Sequence, residues 1–121
     1  MKEVTIFTQN SSQKNVVKAE VASDDASRMQ GLMFRKDLGK NEGMIFLFPE
    51  ANRSPFWMHN TYIPLDIIFI NSDRQVVDIA ENATPLSDEL IQPSALYQYT
   101  LEVRGGFSKE HKIKVGDKVG F

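Results

Sequence analysis

Apolar residues at every second position are the feature that most constrains how this chain can fold. Val4 and Ile6 begin the pattern, and VKAEV (17–21) resumes it after the turn-forming stretch TQNSSQKN (8–15). A period of two is that of a β-strand with one buried face. The two stretches therefore predict an N-terminal β-hairpin with a loose connection.

Two later stretches are apolar at almost every position, namely MIFLF (44–48) and LDIIFI (65–70). A strand that is apolar on both faces is covered on both faces, which places it inside a sheet rather than at its edge. We predict that both strands lie in the middle of the sheet and are nearly inaccessible to solvent.

One short helix is predicted near residues 24–33. Ser23 can serve as its N-cap, and apolar residues follow at helical spacing until Gly31. We expect Gly31 to end the helix in a left-handed conformation, which sends Leu32 and Met33 into the core.

The remaining apolar stretches complete a fold that is mainly β. Further strands are predicted at SPFWMHN (54–60), QVVDIAEN (75–82), LYQYTLEVR (96–104) and IKVGDKVGF (113–121), and GGFSKEHK (105–112) can hold one helical turn. The prediction is one domain over residues 1–121, a small antiparallel β-barrel or sandwich of about seven or eight strands with one short helix. Because βαβ alternation is not visible, a parallel sheet is not expected.

Composition excludes several classes of function. With 41% hydrophobic and 25% charged residues the chain has the make-up of a soluble globular domain, and a formal net charge of −2 gives no electrostatic reason to expect nucleic acid as a partner. The absence of cysteine excludes disulfides and thiolate nucleophiles.

His59 and His111 stand alone, so we expect neither a metal nor another cofactor. The N-terminal residues lack the apolar stretch of a secretory signal, and no run is long enough to span a membrane.

Asp66 is the residue whose position asks for an explanation. In a strand it shares a face with Ile68 and Ile70, so its carboxylate should be buried and must find a partner. The expected partners are the Asn60–Tyr62 turn or a guanidinium, from Arg28 or Arg35. Asp66 then either pins the turn or helps to form a polar cleft.

Glu102 is the second acidic residue of interest. It shares the polar face of YQYTLEV with Gln98 and Thr100, a pattern typical of a solvated strand face. Paired with Asp66 it could instead do general acid and base work, which requires a separation of about 5 to 9.5 Å.

Several longer motifs carry a resemblance to a known family. They are GLMFR (31–35), GMIFLF (43–48), FWMHNTYIPLDIIFI (56–70), LEVRGGF (101–107) and VGDKV (115–119). In this order, from about Val16 to Phe121, the chain resembles the uncharacterised bacterial and archaeal family DUF192. The resemblance implies a compact β-rich domain, commonly found behind a signal peptide or lipoprotein leader and thus extracytoplasmic, and it implies no established activity.

Three functions are compatible with these residues. The first is a non-enzymatic ligand-binding or accessory domain whose polar and aromatic cleft surrounds Trp57, Asn60 and Asp66, for a small-molecule ligand. The second is a hydrolase or lyase that uses Asp66 with Glu102 or an arginine. The third is a module that docks on another protein. The residues predicted to form the site are Arg28, Arg35, Trp57, Met58, Asn60, Thr61, Asp66 and Glu102.

Overall fold

The computed structural model describes residues 1–9 and 13–121 of the chain. In these residues seven strands and two short helices follow one another: β1 (Lys2–Phe7), β2 (Lys14–Ala22), α1 (Asp25–Gln30), β3 (Glu42–Asn52), β4 (Leu65–Ile70), β5 (Val76–Ala83), β6 (Tyr97–Arg104), α2 (Phe107–Glu110) and β7 (Lys118–Gly120). The predicted class, mainly β, is confirmed, and α2 is the helical turn expected in GGFSKEHK. Residues 10–12, in the middle of the predicted TQNSSQKN connection, lie outside the described residues.

All seven strands belong to one sheet in the order β5-β4-β6-β3-β2-β1-β7, which curls into a half-barrel. The β1–β2 pair is antiparallel, as the predicted N-terminal hairpin requires, and the β4–β5 pair is antiparallel as well. The two outermost strands approach each other at one point. There the N–H of Val76 donates to the carbonyl of Asp117 at 2.8 Å, next to a bridge between Gln75 and Lys118.

One strand pair contradicts the expectation of a purely antiparallel sheet. β2 and β3 run parallel, from the pair Lys18 and Glu42 to the pair Ala22 and Phe46. The chain returns to the starting end of β2 through α1 and the loop that follows it, a crossover of only one short helix. This crossover is a single β-α-β connection in a sheet whose other strand pairs are antiparallel, so the sequence lacks the repeated alternation by which parallel sheets are predicted.

The two strands predicted to be central do lie inside the sheet. β4 is paired with β5 and β6, and its six residues are all buried. β3 is paired with β6 and β2, and its residues Met44 to Phe46 are buried. Leu47 and Phe48 are half-buried, and the ladder between β3 and β6 is interrupted after Leu47.

Alternation along these strands divides the apolar side chains between two cores, one on each face of the sheet. The first core contains Ile68, Ile70, Leu101 and Val103, together with side chains of β1 and β2. The second core is formed by Met44, Phe46, Met58, Leu65, Ile67, Phe69 and Tyr97. α1 and the segment 53–63 cover the second core.

The predicted strand at SPFWMHN is wrong. This segment forms a single bridge, between Phe56 and Ile91, and otherwise crosses the second core as a loop. Its side chains still alternate, since Met58 is 1% exposed and Trp57 is 39% exposed. That alternation imitates a strand, but the neighbouring segment is a loop that offers no ladder of backbone partners.

α1 ends where the sequence predicts. Its N-cap is Asp24 rather than Ser23, and the helix stops at Gly31, which has a φ of +50°. Leu32 follows into the second core, whereas Met33 is only half-buried. A residue without a side chain is needed at Gly31, because a methyl group built there would lie 3.3 Å from Cζ of Phe46.

We expect Gly31→Ala to lower the free energy of unfolding by about 1 to 2 kcal/mol, since the new side chain combines a strained positive φ with a tight contact. Urea denaturation of parent and variant measures the change. Gly120→Ala is the matched control, because its methyl group would meet Cε2 of Phe7 at an ordinary 3.4 Å. Equal midpoints for the two variants would contradict the strain argument.

Candidate functional site

Asp66 is fully buried at the start of β4, as its shared face with Ile68 and Ile70 predicts. Its Oδ1 accepts hydrogen bonds from the backbone N–H of Asn82 at 2.9 Å and of Gly106 at 3.1 Å, and its Oδ2 accepts one from Ser108 at 2.8 Å. These donors belong to the end of β5 and to the turn that begins α2. One carboxylate thus fastens three segments of the chain.

The predicted partners of Asp66 are wrong. Neither the Asn60–Tyr62 turn nor an arginine contacts it, because Asp66 points into the first core while that turn and α1 lie on the opposite face of the sheet. Arg35 instead forms a two-pronged ion pair with Glu20, with N–O distances of 2.6 and 2.7 Å. This hydrogen-bonded pair lowers the pKa of Glu20 and raises that of Arg35.

Arg28 also has other partners. Its Nη1 donates to the carbonyl oxygen of Leu47 at 2.8 Å, and its Nη2 donates to Oδ1 of Asp25 at 2.9 Å. The guanidinium carbon lies 5.2 Å from the ring centre of Phe48. Arg28 is therefore fixed against the sheet with several of its five N–H groups still free to donate.

Glu102 contradicts the prediction of a solvated strand face. In the sheet it lies between Met44 of β3 and Ile67 of β4, so its side chain points to the second core, and the residue is only 4% exposed. Among the described residues, none forms a hydrogen bond or an ion pair with its carboxyl group. Burial raises the pKa of Glu102 to about 8. The polar face of β6 is covered by α1 and the segment 53–63, which come from distant parts of the chain.

Asp66 and Glu102 do not form a catalytic pair. Asp66 is opposite Val103 in the ladder and Ile67 is opposite Glu102. Adjacent residues of a strand point to opposite faces, so the sheet itself separates the two carboxyl groups. This geometry does not support acid and base work shared between them.

A cleft of about 330 Å³ opens between α1 and the segment 54–61, over the second core. Five aromatic rings dominate its lining, those of Phe46, Phe48, Phe56, Trp57 and Tyr97. Its remaining wall is formed by Asp25, Arg28, Met29, Gln30, Gly31, Leu32, Met33, Ser54, Pro55, Thr61 and Glu102. The cleft is thus aromatic and apolar, with a few polar groups at separate points.

Four of the predicted site residues line this cleft, namely Arg28, Trp57, Thr61 and Glu102. The other four lie outside its lining. Met58 is buried in the second core, and Asn60, with a φ of +54°, uses its carbonyl oxygen to accept a hydrogen bond from the N–H of Phe34 at 2.8 Å. Arg35 and Asp66 face elsewhere, through the contacts described above.

Sequence reasoning missed the aromatic lining of the cleft. Phe46 and Phe56 are edge-to-face at 5.3 Å, and Phe56 and Tyr97 lie 6.1 Å apart. The Tyr97 hydroxyl donates to the carbonyl of Ser54 at 2.6 Å, and its burial raises the pKa of Tyr97. Alternation at Phe56 and Met58 was the available signal, because it shows which side chains of that segment turn inward.

Trp57 forms the outer wall of the cleft. Its ring stacks on that of His59, with 4.6 Å between centroids and 25° between planes. Nδ1 of His59 lies 2.7 Å from Oδ1 of Asp88, which holds the stacked pair in place. The ring of Trp57 thus keeps a defined orientation although the residue is exposed.

The fold and the cleft together define a class: a small half-barrel β-domain in which an aromatic cleft contains one buried, unpaired carboxyl group. The chain belongs to the DUF192 family, described as "Uncharacterized ACR", which it matches over residues 6–121. No helix in the described part of the chain has the length and apolar character needed to cross a bilayer.

Relatives are found among archaeal and bacterial proteins. The chain is 29% identical over 116 residues to a UPF0127 protein of Pyrococcus abyssi, covering 94% of each chain, and 26% identical over 111 residues to one of Pyrococcus furiosus, covering 85% of each.

Two crystal structures are similar over 98% of this chain, each with a TM-score of 0.94. One is a protein of unknown function from Novosphingobium aromaticivorans, with 42% identity and 84% of its chain covered. The other, from Sinorhizobium meliloti, is described as a candidate transcription regulator, with 36% identity and 91% of its chain covered.

Asp66→Asn should lower the free energy of unfolding by about 1 to 3 kcal/mol, because the amide nitrogen would face a backbone N–H where an oxygen now accepts. Asp66→Ala should cost at least as much. The midpoint of urea denaturation measures both, and Asp73→Asn, at an exposed position, is the control. An unchanged or raised midpoint for Asp66→Asn would show that the hydrogen bonds to Asp66 do not stabilise the fold.

Stability should depend on pH through Glu102. In the folded protein its carboxyl group stays protonated up to about pH 8, whereas in the unfolded chain it ionises near its ordinary pKa of 4.5. Raising the pH between these values favours the unfolded state, so the contribution of Glu102 to stability declines through this window and is constant above it. The full decline is on the order of 3 to 5 kcal/mol.

Urea denaturation of the parent and Glu102→Gln at pH 5, 7 and 9 tests this dependence. The variant should gain stability relative to the parent as the pH rises, whereas Glu3→Gln, an exposed change on β1, should follow the parent. Parallel pH profiles for the parent and Glu102→Gln would show that the buried carboxyl group is not the source of the pH dependence of stability.

Proposed function

We propose that this chain is a binding domain without catalytic activity, and that a small organic molecule occupies the cleft beside Trp57. The observation that supports this most directly is Glu102, whose carboxyl group is buried at the cleft and has no hydrogen-bond partner among the described residues. A ligand that donates a hydrogen bond would supply the missing partner.

The isolation of Glu102 is costly to the folded protein. A buried polar group without a partner costs about 1 to 3 kcal/mol, and a charged one costs more. A purely structural carboxyl group would recover this cost through hydrogen bonds, as Asp66 does. Glu102 makes no such bond within the described chain, and its oxygens are not among the fully enclosed polar atoms without a partner, which are those of Asn15, Thr100 and Ser108. Its carboxyl group therefore keeps some exposure in the lining of the cleft, which supports a role toward a bound molecule.

The composition of the cleft also supports a binding role. Small-molecule sites are concave and largely apolar, with a few polar groups that orient the ligand. Here the aromatic rings supply the apolar surface, while Arg28 and Thr61 add polar groups to Glu102. The hydroxyl of Thr61 donates to the carbonyl of His59 at 3.2 Å, so its oxygen can still accept a hydrogen bond.

The proposal differs in one respect from the cleft that the sequence predicts. Trp57 keeps its place as a wall, but Glu102 takes the role that was expected of Asp66. Asn60 and Asp66 act on the scaffold instead, the first by holding Phe34 and the second by fastening β4.

An enzyme that uses Glu102 alone is the second candidate. A carboxyl group with a pKa of about 8 in a cleft has the properties of a general acid or base near neutral pH. In that case a molecule that binds in the cleft would be converted with time. Recovery of the bound molecule unchanged, checked by mass spectrometry, separates binding from reaction.

Docking on another protein is the third candidate, favoured by exposed apolar side chains near the cleft, such as Met29, Phe34 and Tyr62. Nucleic acid remains a partner that we do not expect, since the formal net charge is −2, although the Sinorhizobium meliloti relative is described as a candidate transcription regulator.

A thermal-shift screen tests the binding proposal. We expect at least one compound among sugars, cell-wall fragments, amines, carboxylic acids and nucleotides to raise the Tm of the parent; at 100 times its Kd a ligand adds about 2.7 kcal/mol to stability. The rise should shrink in Glu102→Gln and persist in Glu3→Gln. Fluorescence of Trp57, the single tryptophan of the chain, gives a second signal from the cleft wall.

A screen in which no compound raises the Tm or changes the fluorescence of Trp57 would remove the binding proposal. A compound that stabilises Glu102→Gln as much as the parent would place its site elsewhere on the molecule.

A further inference from the structure

The chemistry around Glu102 narrows the class of ligand, on the assumption that the proposed binding function holds. Two features determine the class of ligand. One is the carboxyl group of Glu102, which receives no hydrogen bond from the described residues, and the other is the set of aromatic rings in the same cleft. The charged and titratable groups that line the same cleft are Asp25 and Arg28 from α1 and Tyr97 from β6.

None of these groups balances the charge of an ionised Glu102. The guanidinium of Arg28 is bonded to Asp25 and to the carbonyl of Leu47, and it forms no ion pair with Glu102 within the 4.0 Å that defines one. The hydroxyl of Tyr97 donates to Ser54. Among the described residues no cation is paired with Glu102, so a bound molecule could supply the cation that its carboxylate lacks.

The aromatic rings suit such a cation. The faces of phenylalanine, tyrosine and tryptophan rings carry negative potential and attract ammonium groups at distances up to about 6 Å. Arg28 already makes this contact with Phe48, at 5.2 Å from the ring centre. An ammonium group also offers three N–H donors to an ionised carboxylate, which can only accept.

We propose that the cleft takes an organic ammonium ion, whose N–H groups donate to the carboxylate of Glu102 and whose apolar body packs between the aromatic rings. Gly31 lies beside this carboxyl group in the lining of the cleft, since a methyl group in its place would be 3.7 Å from Oε1 of Glu102, an ordinary contact distance.

Binding of such a cation is linked to a proton. The free cleft holds Glu102 as a neutral acid at pH 7; on binding, the O–H bond breaks, the proton leaves to solvent, and the carboxylate pairs with the ammonium group. With a pKa of about 8, about nine-tenths of the free protein is protonated at pH 7, so about 0.9 proton is released per bound amine.

Calorimetric titration with three probes that share one body tests the inference: 2-phenylethylamine, 2-phenylethanol and 3-phenylpropionate. At pH 7 the amine should bind at least about tenfold more tightly than the alcohol, as expected for an added charged hydrogen bond. Titrations in phosphate and in MOPS, which differ in heat of ionisation and contain no primary amine, measure the proton released. Affinity for the amine should rise about tenfold from pH 6 to pH 7 and level off above pH 8.

Two variants test whether the amine binds at Glu102. Glu102→Gln should weaken the amine about tenfold or more and abolish proton release, while the affinity for the alcohol changes by less than about threefold. Glu3→Gln, at its exposed site on β1, should bind all three probes as the parent does. If Glu102→Gln fails to fold, the pH profile of the parent still decides, because it needs no variant.

The outcomes separate the two proposals. If the alcohol or the carboxylate binds as tightly as the amine, or if no proton is released, the ammonium inference is wrong and binding in the cleft stands. If the amine does not bind at all, the inference is also wrong, and the binding function then depends on the broader thermal-shift screen. The binding proposal is wrong only if no compound in that screen raises the Tm or changes the fluorescence of Trp57.

Discussion

The contact on which the rest of the structure depends is the carboxylate of Asp66. Its three backbone donors come from residues 16, 40 and 42 positions away in the chain. They tie the first residues of β4 to the end of β5 and to the turn after β6, where the N–H of Gly105 adds a bond to the carbonyl of Pro64 at 2.9 Å. Since Asp66 enters β4 on the first-core face, Ile67 and Phe69 must face the second core. The register of β4 against β6 then sets Glu102 on that second face as well.

The carboxyl groups of Asp66 and Glu102 are similarly buried but differ in their hydrogen-bond partners. Both are almost inaccessible to solvent, with Asp66 at 0% and Glu102 at 4% exposure. Asp66 accepts three backbone hydrogen bonds, which offset the cost of burying its carboxyl group. Glu102 accepts none from the described chain, and desolvation alone raises its pKa. The two carboxyl groups therefore differ in their hydrogen-bond donors and not in their burial.

The sequence predicts those features that one strand or one turn decides by itself. The central strands follow from MIFLF and LDIIFI, the burial of Asp66 follows from its face, and the end of α1 follows from Gly31.

The partners of Asp66 could not be predicted from the sequence, because they are backbone N–H groups, which carry no signature in the residue types. The burial of Glu102 did not follow either. A strand face with alternating polar residues looks solvated until distant segments cover it, and nothing in YQYTLEV shows that α1 and the segment 53–63 do so.

The cleft lies between two elements that stand outside the ladders of the sheet. The six residues of α1 are all half-buried or exposed. The segment 53–63 is joined to residues 86–91 by one bridge, between Phe56 and Ile91, and by the N–H of Met58 to the carbonyl of Ser87 and the N–H of Leu86 to the carbonyl of Thr61. The strands beneath them, β3, β6 and β4, each pair with a strand on both sides. A molecule in the cleft would contact α1 on one wall and Trp57 on the other, so its contacts would restrain these two elements while the sheet stays as it is. Asp66 holds the start of β4 in register from the opposite face, and β4 in turn pairs with the strand that carries Glu102.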